Sequence, residues 1–194
     1  MDWQQRNFAQ NIVRDFENLG RAYQHTIQVP FVDLRRGHWQ PKGNDSKTGR
    51  EKWNNMAYGK DIAKQEYSGR VENKLPNGWG RWSIEGSRRL EYEGHWQDGL
   101  PNGINGIFML DGAIVYQGPV CSGRPDGEGR YFWADGTTYS GRLTKGNFNG
   151  QGTIQRGTMI YSDLWNQGRR TGQPGVFTWY LWRGQAPLRA FIWL

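Results

Sequence analysis

Three histidines, one cysteine and two glycine-bracketed polar residues are where chemistry could be sought in this 194-residue chain. General acid–base catalysis needs a histidine or carboxylate within hydrogen-bond reach of a partner group. His25, His38 and His95 keep no common spacing to one another or to carboxylates, and His95 precedes Trp96 on the outward alternation of an expected strand. Cys121 lies beside Ser122 and Gly123 in an expected turn, with no histidine nearby to hold a thiolate. Being alone, it excludes an internal disulfide and leaves no zinc cluster. Gly127-Glu-Gly129 and Gly150-Gln-Gly152 suggest a phosphate loop, but such a loop needs a lysine and a following helix. Without them, turn glycines are expected. The expectation is therefore no enzyme, no catalytic residue, no cofactor and no metal.

The elements that would position any such group are not those of an ordinary core. Hydrophobic residues make up only 36 % of the chain, yet it holds 28 glycines, 11 Trp, 9 Tyr and 8 Phe. With a mean hydropathy of −0.88, this points to flat rings laid on bare backbone in a thin, extended β architecture. The net charge of +7 is dispersed with no block of like sign, which suits an anionic partner or a plain solvated surface. Met1-Asp2-Trp3-Gln4-Gln5-Arg6 lacks an apolar signal core, and no stretch reaches the ~20 apolar residues of a membrane span. An intracellular, soluble or peripheral protein is expected, with cytoskeleton, cilium, mitochondrion and plastid all open.

Self-similarity is the informative feature. Tyr67, Tyr92, Tyr116, Tyr139 and Tyr161 follow one another at 25, 24, 23 and 22 residues, and the first four open Tyr-x-Gly triplets ending at Gly69, Gly94, Gly118 and Gly141. Eleven residues after each tyrosine stands a glycine: Gly78, Gly103, Gly127, Gly150 and Gly172. Seven after it stand Gly99, Gly123, Gly146 and Gly168, with Lys74 as the exception. Four after it the residue is always apolar: Val71, Trp96, Val120, Leu143 and Trp165. In a strand, residues i, i+2 and i+4 share a face, so each glycine lies between two large side chains. There it leaves a gap for a ring of a neighbouring strand, while the later glycines supply the positive φ of a turn. A second strand starts at Gly80, Gly129 and Gly152, and one residue later at Gly106 and Gly175, where an inserted residue would keep the inward face in register.

This pattern, Y-x-G-x-[W/apolar]-x-x-G-x-x-x-G-x-G followed by D-G, resembles the MORN repeat over roughly 67–183, most closely in the unit from Tyr116 to Gly136. The fifth unit departs most, with Asp163 for glycine and Pro174 where the second-strand glycine is expected. The resemblance implies a mainly β fold, an elongated antiparallel sheet of about five stacked hairpins. It also implies a role in protein association, oligomerisation or attachment near membranes.

Outside the repeats, Phe8, Ile12, Phe16, Leu19 and Tyr23 recur at helical spacing, so residues 1–26 are expected to form an amphipathic helix. Residues 27–66 show little periodicity and read as a long irregular arm. The tail, 184–194, follows the ring-rich run Val176–Trp182; its rings are expected either to cap the last repeat or to anchor in a neighbour. Phe8, Ile12, Phe16, Trp179, Trp182, Phe191 and Trp193 are the candidate partner-binding residues. The function expected is a non-catalytic scaffold or accessory structural subunit, bound to other protein subunits of a larger complex, with room for peripheral contact with membrane lipids. The competing expectation is a module for anionic ligands, lipid headgroups or single-stranded nucleic acid, built on Arg70, Arg81, Arg124, Arg130 and Arg142. Inward-facing rings argue against the nucleic acid.

Overall fold

The computed structural model describes residues 32–35, 39–44, 51–55, 65–84, 89–171, 175–179 and 188–192. No helix occurs among them. The strands are β1 (Trp39–Asn44), β2 (Glu51–Asn55), β3 (Gln65–Glu72), β4 (Leu75–Ile84), β5 (Leu90–Gln97), β6 (Leu100–Pro101), β7 (Gly103–Leu110) and β8 (Ala113–Cys121). They continue with β9 (Arg124–Pro125), β10 (Gly127–Phe132), β11 (Thr138–Thr144), β12 (Asn147–Arg156), β13 (Met159–Asn166), β14 (Arg169–Arg170), β15 (Gly175–Trp179) and β16 (Leu188–Ile192). All belong to one open sheet in sequence order, with the two-residue strands β6, β9 and β14 hung on β5, β8 and β13. Every pairing is antiparallel, as a meander of hairpins requires. At ~4.8 Å between strands the sheet runs on the order of 60 Å along its hydrogen-bonding direction.

Register turns the repeat into a ladder of side chains. Trp53, Tyr67, Trp82, Tyr92, Phe108, Tyr116, Tyr131, Tyr139, Ile154, Tyr161 and Phe177 stand opposite one another, strand by strand, from β2 to β15. Because side chains alternate between faces, the next residue along each strand builds a second ladder on the other face. That one runs Lys52, Ser68, Arg81, Glu93, Ile107, Gln117, Arg130, Ser140, Thr153, Ser162 and Val176, and it is mostly polar. One face is thus a ring face and the other a polar face, and Tyr92, Tyr116 and Tyr139 have no exposed surface at all. The inserted residue expected in the second unit is present as a register shift between Gly103 and Gly106, after which Gly106 faces Gly118.

Each intra-unit hairpin closes through two residues of positive φ, as a type I′ turn demands. These pairs are Asn73-Lys74, Asp98-Gly99, Ser122-Gly123, Lys145-Gly146 and Gln167-Gly168. Lys74, at φ 63°, bears alone the strain that glycine avoids at the equivalent positions of the other four turns. Lys74→Gly should therefore stabilise the protein by about 1 kcal/mol and raise Tm by roughly 2–4 °C. Calorimetry showing an unchanged or lower Tm would contradict this account of the turn.

The structure redraws the flanks. The span 27–66, expected to be irregular, contains β1 and β2, a hairpin paired to β3 that places the Trp53 backbone opposite Tyr67. A bulge between Pro41 and Gly43 hides its alternation. Within the tail, Leu188–Ile192 is a strand paired with β15. The expected helix over 1–26 lies outside the described residues.

Candidate interaction surface

The recurring glycines are explained by the tyrosines beside them. Each ring lies over the glycine two residues on in its own strand and over the facing glycine of the next strand. A Cβ on Gly69 or Gly80 would come within 2.4 or 2.1 Å of the Tyr67 hydroxyl, and one on Gly152 within 2.4 Å of the Tyr139 ring. Gly94 and Gly106 serve Tyr92 in this way, Gly118 and Gly129 serve Tyr116, and Gly141 with Gly152 serves Tyr139. The expectation that the gap accepts a ring from a neighbouring strand is therefore corrected: the ring is the strand's own tyrosine, laid forward along it. Gly129 and Gly152, read from the sequence both as turn glycines and as the start of the second strand, lie within strands β10 and β12.

The hydroxyl then reaches the carbonyl three residues on. Tyr67, Tyr92, Tyr116 and Tyr139 donate to Arg70, His95, Pro119 and Arg142 at 3.0, 3.1, 2.7 and 3.1 Å. The same carbonyls of His95 and Pro119 also accept the backbone N–H of Asn102 and Asp126, which closes the far side of the hairpin. Burial pushes the hydroxyls of Tyr92, Tyr116, Tyr131, Tyr139 and Tyr161 above the usual phenol range, because the ring face offers a phenolate no solvent.

The fifth unit solves the same packing problem with charge. Asp163 replaces the glycine, and the Tyr161 hydroxyl donates to its Oδ2 at 2.5 Å in place of a carbonyl. Arg170 Nε meets that oxygen at 2.5 Å while the guanidinium lies 5.4 Å above the Tyr161 ring. Two residues after the tyrosine stands glycine and nine after it an uncharged residue in the first four units, Gly69/Pro76, Gly94/Pro101, Gly118/Pro125 and Gly141/Phe148; in the fifth both become charged, Asp163/Arg170. Gly175 still lies beneath Tyr161, so it, one residue beyond Pro174, is the second-strand glycine. The Asp163 side chain is 1 % exposed, Arg170 is 22 % exposed, and Arg170 Nη2 is buried without a partner. Breaking such a pair strands a buried charge, whereas replacing both partners need not destabilise. Arg170→Met should lower stability by about 2 kcal/mol, and Asp163→Gly/Arg170→Phe, the fourth unit's solution, should stay within about 1 kcal/mol of wild type. Urea midpoints decide it; a double variant as weak as the single one would contradict the exchange.

The hairpin turns line up into a ledge along one side of the sheet. Gly99, Gly123, Gly146 and Gly168 donate their N–H to the carbonyls of Pro76, Pro101, Pro125 and Phe148 in the preceding unit, at 2.8–2.9 Å. Asn77 and Asp126 reach the next turn, at Asp98 and at the Lys145 N–H. Asn77 and Asp126 thus tie unit to unit, while Asn102 and Asn149 bond within their own unit, to Gln97 and Thr144; all four lie beyond the turn they were expected to form. Gly78, Gly127 and Gly150 still need positive φ, at 71°, 117° and 78°. Gly103 lacks it, and Gly172 lies outside the described residues. Across the ledge runs Val32–Arg35, with Leu34 N–H on the Gly99 carbonyl at 2.9 Å and Val32 N–H on that of Gly123 at 3.4 Å. Both side chains are buried in the core.

On the polar face Arg70, Arg81, Arg89 and Arg130 are engaged by the protein itself. Glu91, nearly buried, holds both Arg81 and Arg89, Arg70 pairs with Glu72, and Arg130 bonds Ser140 at 3.1 Å and lies over Phe132. His95 sits edge-on to Trp79 at 5.2 Å, and Cys121 is exposed. Of the candidate partner-binding residues, Trp179 and Phe191 fall in the paired strands β15 and β16. Phe8, Ile12, Phe16, Trp182 and Trp193 lie outside the described residues. Sequence reasoning missed Val32, Leu34 and Arg170; the two-residue alternation Val32-Asp-Leu34 was the only signal for the first pair. No helix among the described residues is long and apolar enough to cross a membrane, and no group of three or more His, Cys, Asp or Glu among them could hold a metal ion. No family model matches the sequence.

Proposed function

We propose that this chain is a MORN-type repeat protein acting as a non-catalytic scaffold, an accessory subunit through which other proteins associate in a larger assembly. The observation that carries the reading is where the repeating residues go. Every repeated tyrosine is used in packing, over glycine within its own hairpin, while Tyr67 and Tyr139 also meet Trp96 and Trp165 of the next unit, so what the repeat produces is an extended surface ending, among the described residues, in the edge strands β1 and β16. A surface of that length suits several partners arranged in series, and the ring-rich strands β15 and β16 extend it at one end. The arginines suggested for an anionic ligand receive less support, because Arg70 and Arg81 are satisfied by carboxylates of the chain.

The test is purification of the full chain from its source under native conditions, with the mass and stoichiometry of the product measured. A complex of fixed stoichiometry with at least one other polypeptide is expected. Recovery as a free monomer across a range of salt concentrations would overturn the proposal.

A further inference from the structure

Four residues, Val32-Asp-Leu-Arg35, lie on the turn ledge in a manner that resembles bound peptide more than connecting chain. Val32 and Leu34 point alternate side chains into the core at 3 % and 4 % exposure. Their N–H groups use the carbonyls of two successive turn glycines, Gly123 and Gly99. Asp33 folds onto Arg35, accepting its backbone N–H at 3.0 Å and its guanidinium at 2.6 Å, which fixes the bend at the end of the segment. Arg35 in turn covers Gly99, where an added Cβ would lie 3.1 Å from Arg35 Cγ; at Gly146, two units further, it would meet nothing within 4 Å.

Backbone bonds to a row of carbonyls, with alternate side chains in holes, are how extended peptides are read. Successive turns stand two strand spacings apart, about 10 Å, while two extended residues advance about 7 Å. A straight segment can therefore satisfy two turns and no more, which accounts for a short bond at Gly99 and a long one at Gly123. Two buried side chains against four ordered residues make a weak contact by themselves. The covalent tether sustains it, at an effective concentration on the order of millimolar.

We propose that the ledge formed by the Asp98-Gly99 and Ser122-Gly123 turns is a linear-motif site occupied in cis by Val32–Arg35. Its partner is an extended segment of another protein with the pattern apolar–acidic–apolar–arginine, which exchanges with the cis segment. The partner's existence rests on the scaffold reading; the site does not, and it is tested without any partner.

The probe is a fluorescent peptide of residues 28–37, titrated into the full chain and into full-chain Val32→Asp/Leu34→Asp. Binding to the double variant at least tenfold tighter than to wild type is expected, and none by a peptide carrying the same two substitutions. A peptide that binds neither protein, or both equally, overturns the proposal. A second measurement needs no variant. In the wild-type chain, the Val32 and Leu34 amides should exchange with solvent at least 100-fold faster than the amides of β8, because the segment lifts while the sheet stays closed. Equal protection would mean that the ledge opens only by global unfolding, and no exchange of ligands could occur there. If the chain proves to be a free monomer but the peptide binds, the scaffold reading fails while the site stands.

Discussion

Raising the pH from 9 to about 11 should unfold this protein in one cooperative step, with tyrosine ionisation and loss of β-sheet signal coinciding. Tyr92, Tyr116, Tyr131, Tyr139 and Tyr161 all hold their protons more tightly in the fold than the ordinary phenol value of 10.0, with burial as the first cause in each. A raised folded pKa means that the unfolded chain loses the proton first. The stability is complete below pH 10 and is lost above it. Between the unfolded and folded values each such group contributes a slope of about 1.4 kcal/mol per pH unit. Five acting together remove about 7 kcal/mol by pH 11, comparable with the whole stability of an ordinary domain, ~5–15 kcal/mol. Simultaneous near-ultraviolet absorbance and circular dichroism across the titration provide the measurement. Tyr116→Phe supplies the control, since it keeps the ring, loses the 2.7 Å bond to Pro119, and should reduce the proton dependence of the transition by one. Gradual ionisation with the sheet intact would show that the hydroxyls are open to water, and the ring face would lose its role as the core.

The cooperativity of that transition depends on features that were unequally legible. Whatever recurs at fixed offset could be read: the tyrosines, the apolar residue four on, and the glycine seven on that closes the I′ turn. Those signals are local, since one strand and one turn create them. The partner beneath each ring was read wrongly because a glycine two residues on and a glycine on the next strand are both compatible with a gap; only register shows that one tyrosine covers both. Asp163 was recognisable as a departure, but Arg170 was not, because Pro, Pro, Pro, Phe, Arg at the ninth position has no common chemistry until the fold sets that position against the second. Val32-Asp-Leu-Arg and Glu51-Lys-Trp-Asn-Asn escaped for a different reason. Two apolar residues or one ring in four or five positions do not rise above chance, and such short segments are held in place by the repeats and not by their own pattern.

Gly152→Ala should destabilise the protein by at least about 3 kcal/mol, a large effect for one added methyl group. At most strand positions alanine is preferred to glycine, which loses more backbone entropy on folding. Here the new Cβ would lie 2.4, 2.5 and 2.7 Å from the Cε2, Oη and Cζ atoms of Tyr139, a ring with no room to retreat. Phe148 stacks on Tyr139 at 3.7 Å between centroids, Trp165 meets it edge-on, and Leu143 on the same face is fully buried. The methyl group must therefore move the ring, the strand, or both. A double-mutant cycle separates this close contact from any general intolerance of the strand. In a Tyr139→Leu background, itself costly through the lost ring, Gly152→Ala should cost less than about 1 kcal/mol, leaving a coupling of about 2 kcal/mol between the two positions. Urea unfolding of the four proteins gives the four corners. Additive effects would mean that the glycine is required by its backbone alone, and that the tyrosine over it is only a neighbour. A large coupling would show that each ring and the glycines beneath it act as one element, so that glycines at these places and rings above them specify the sheet jointly.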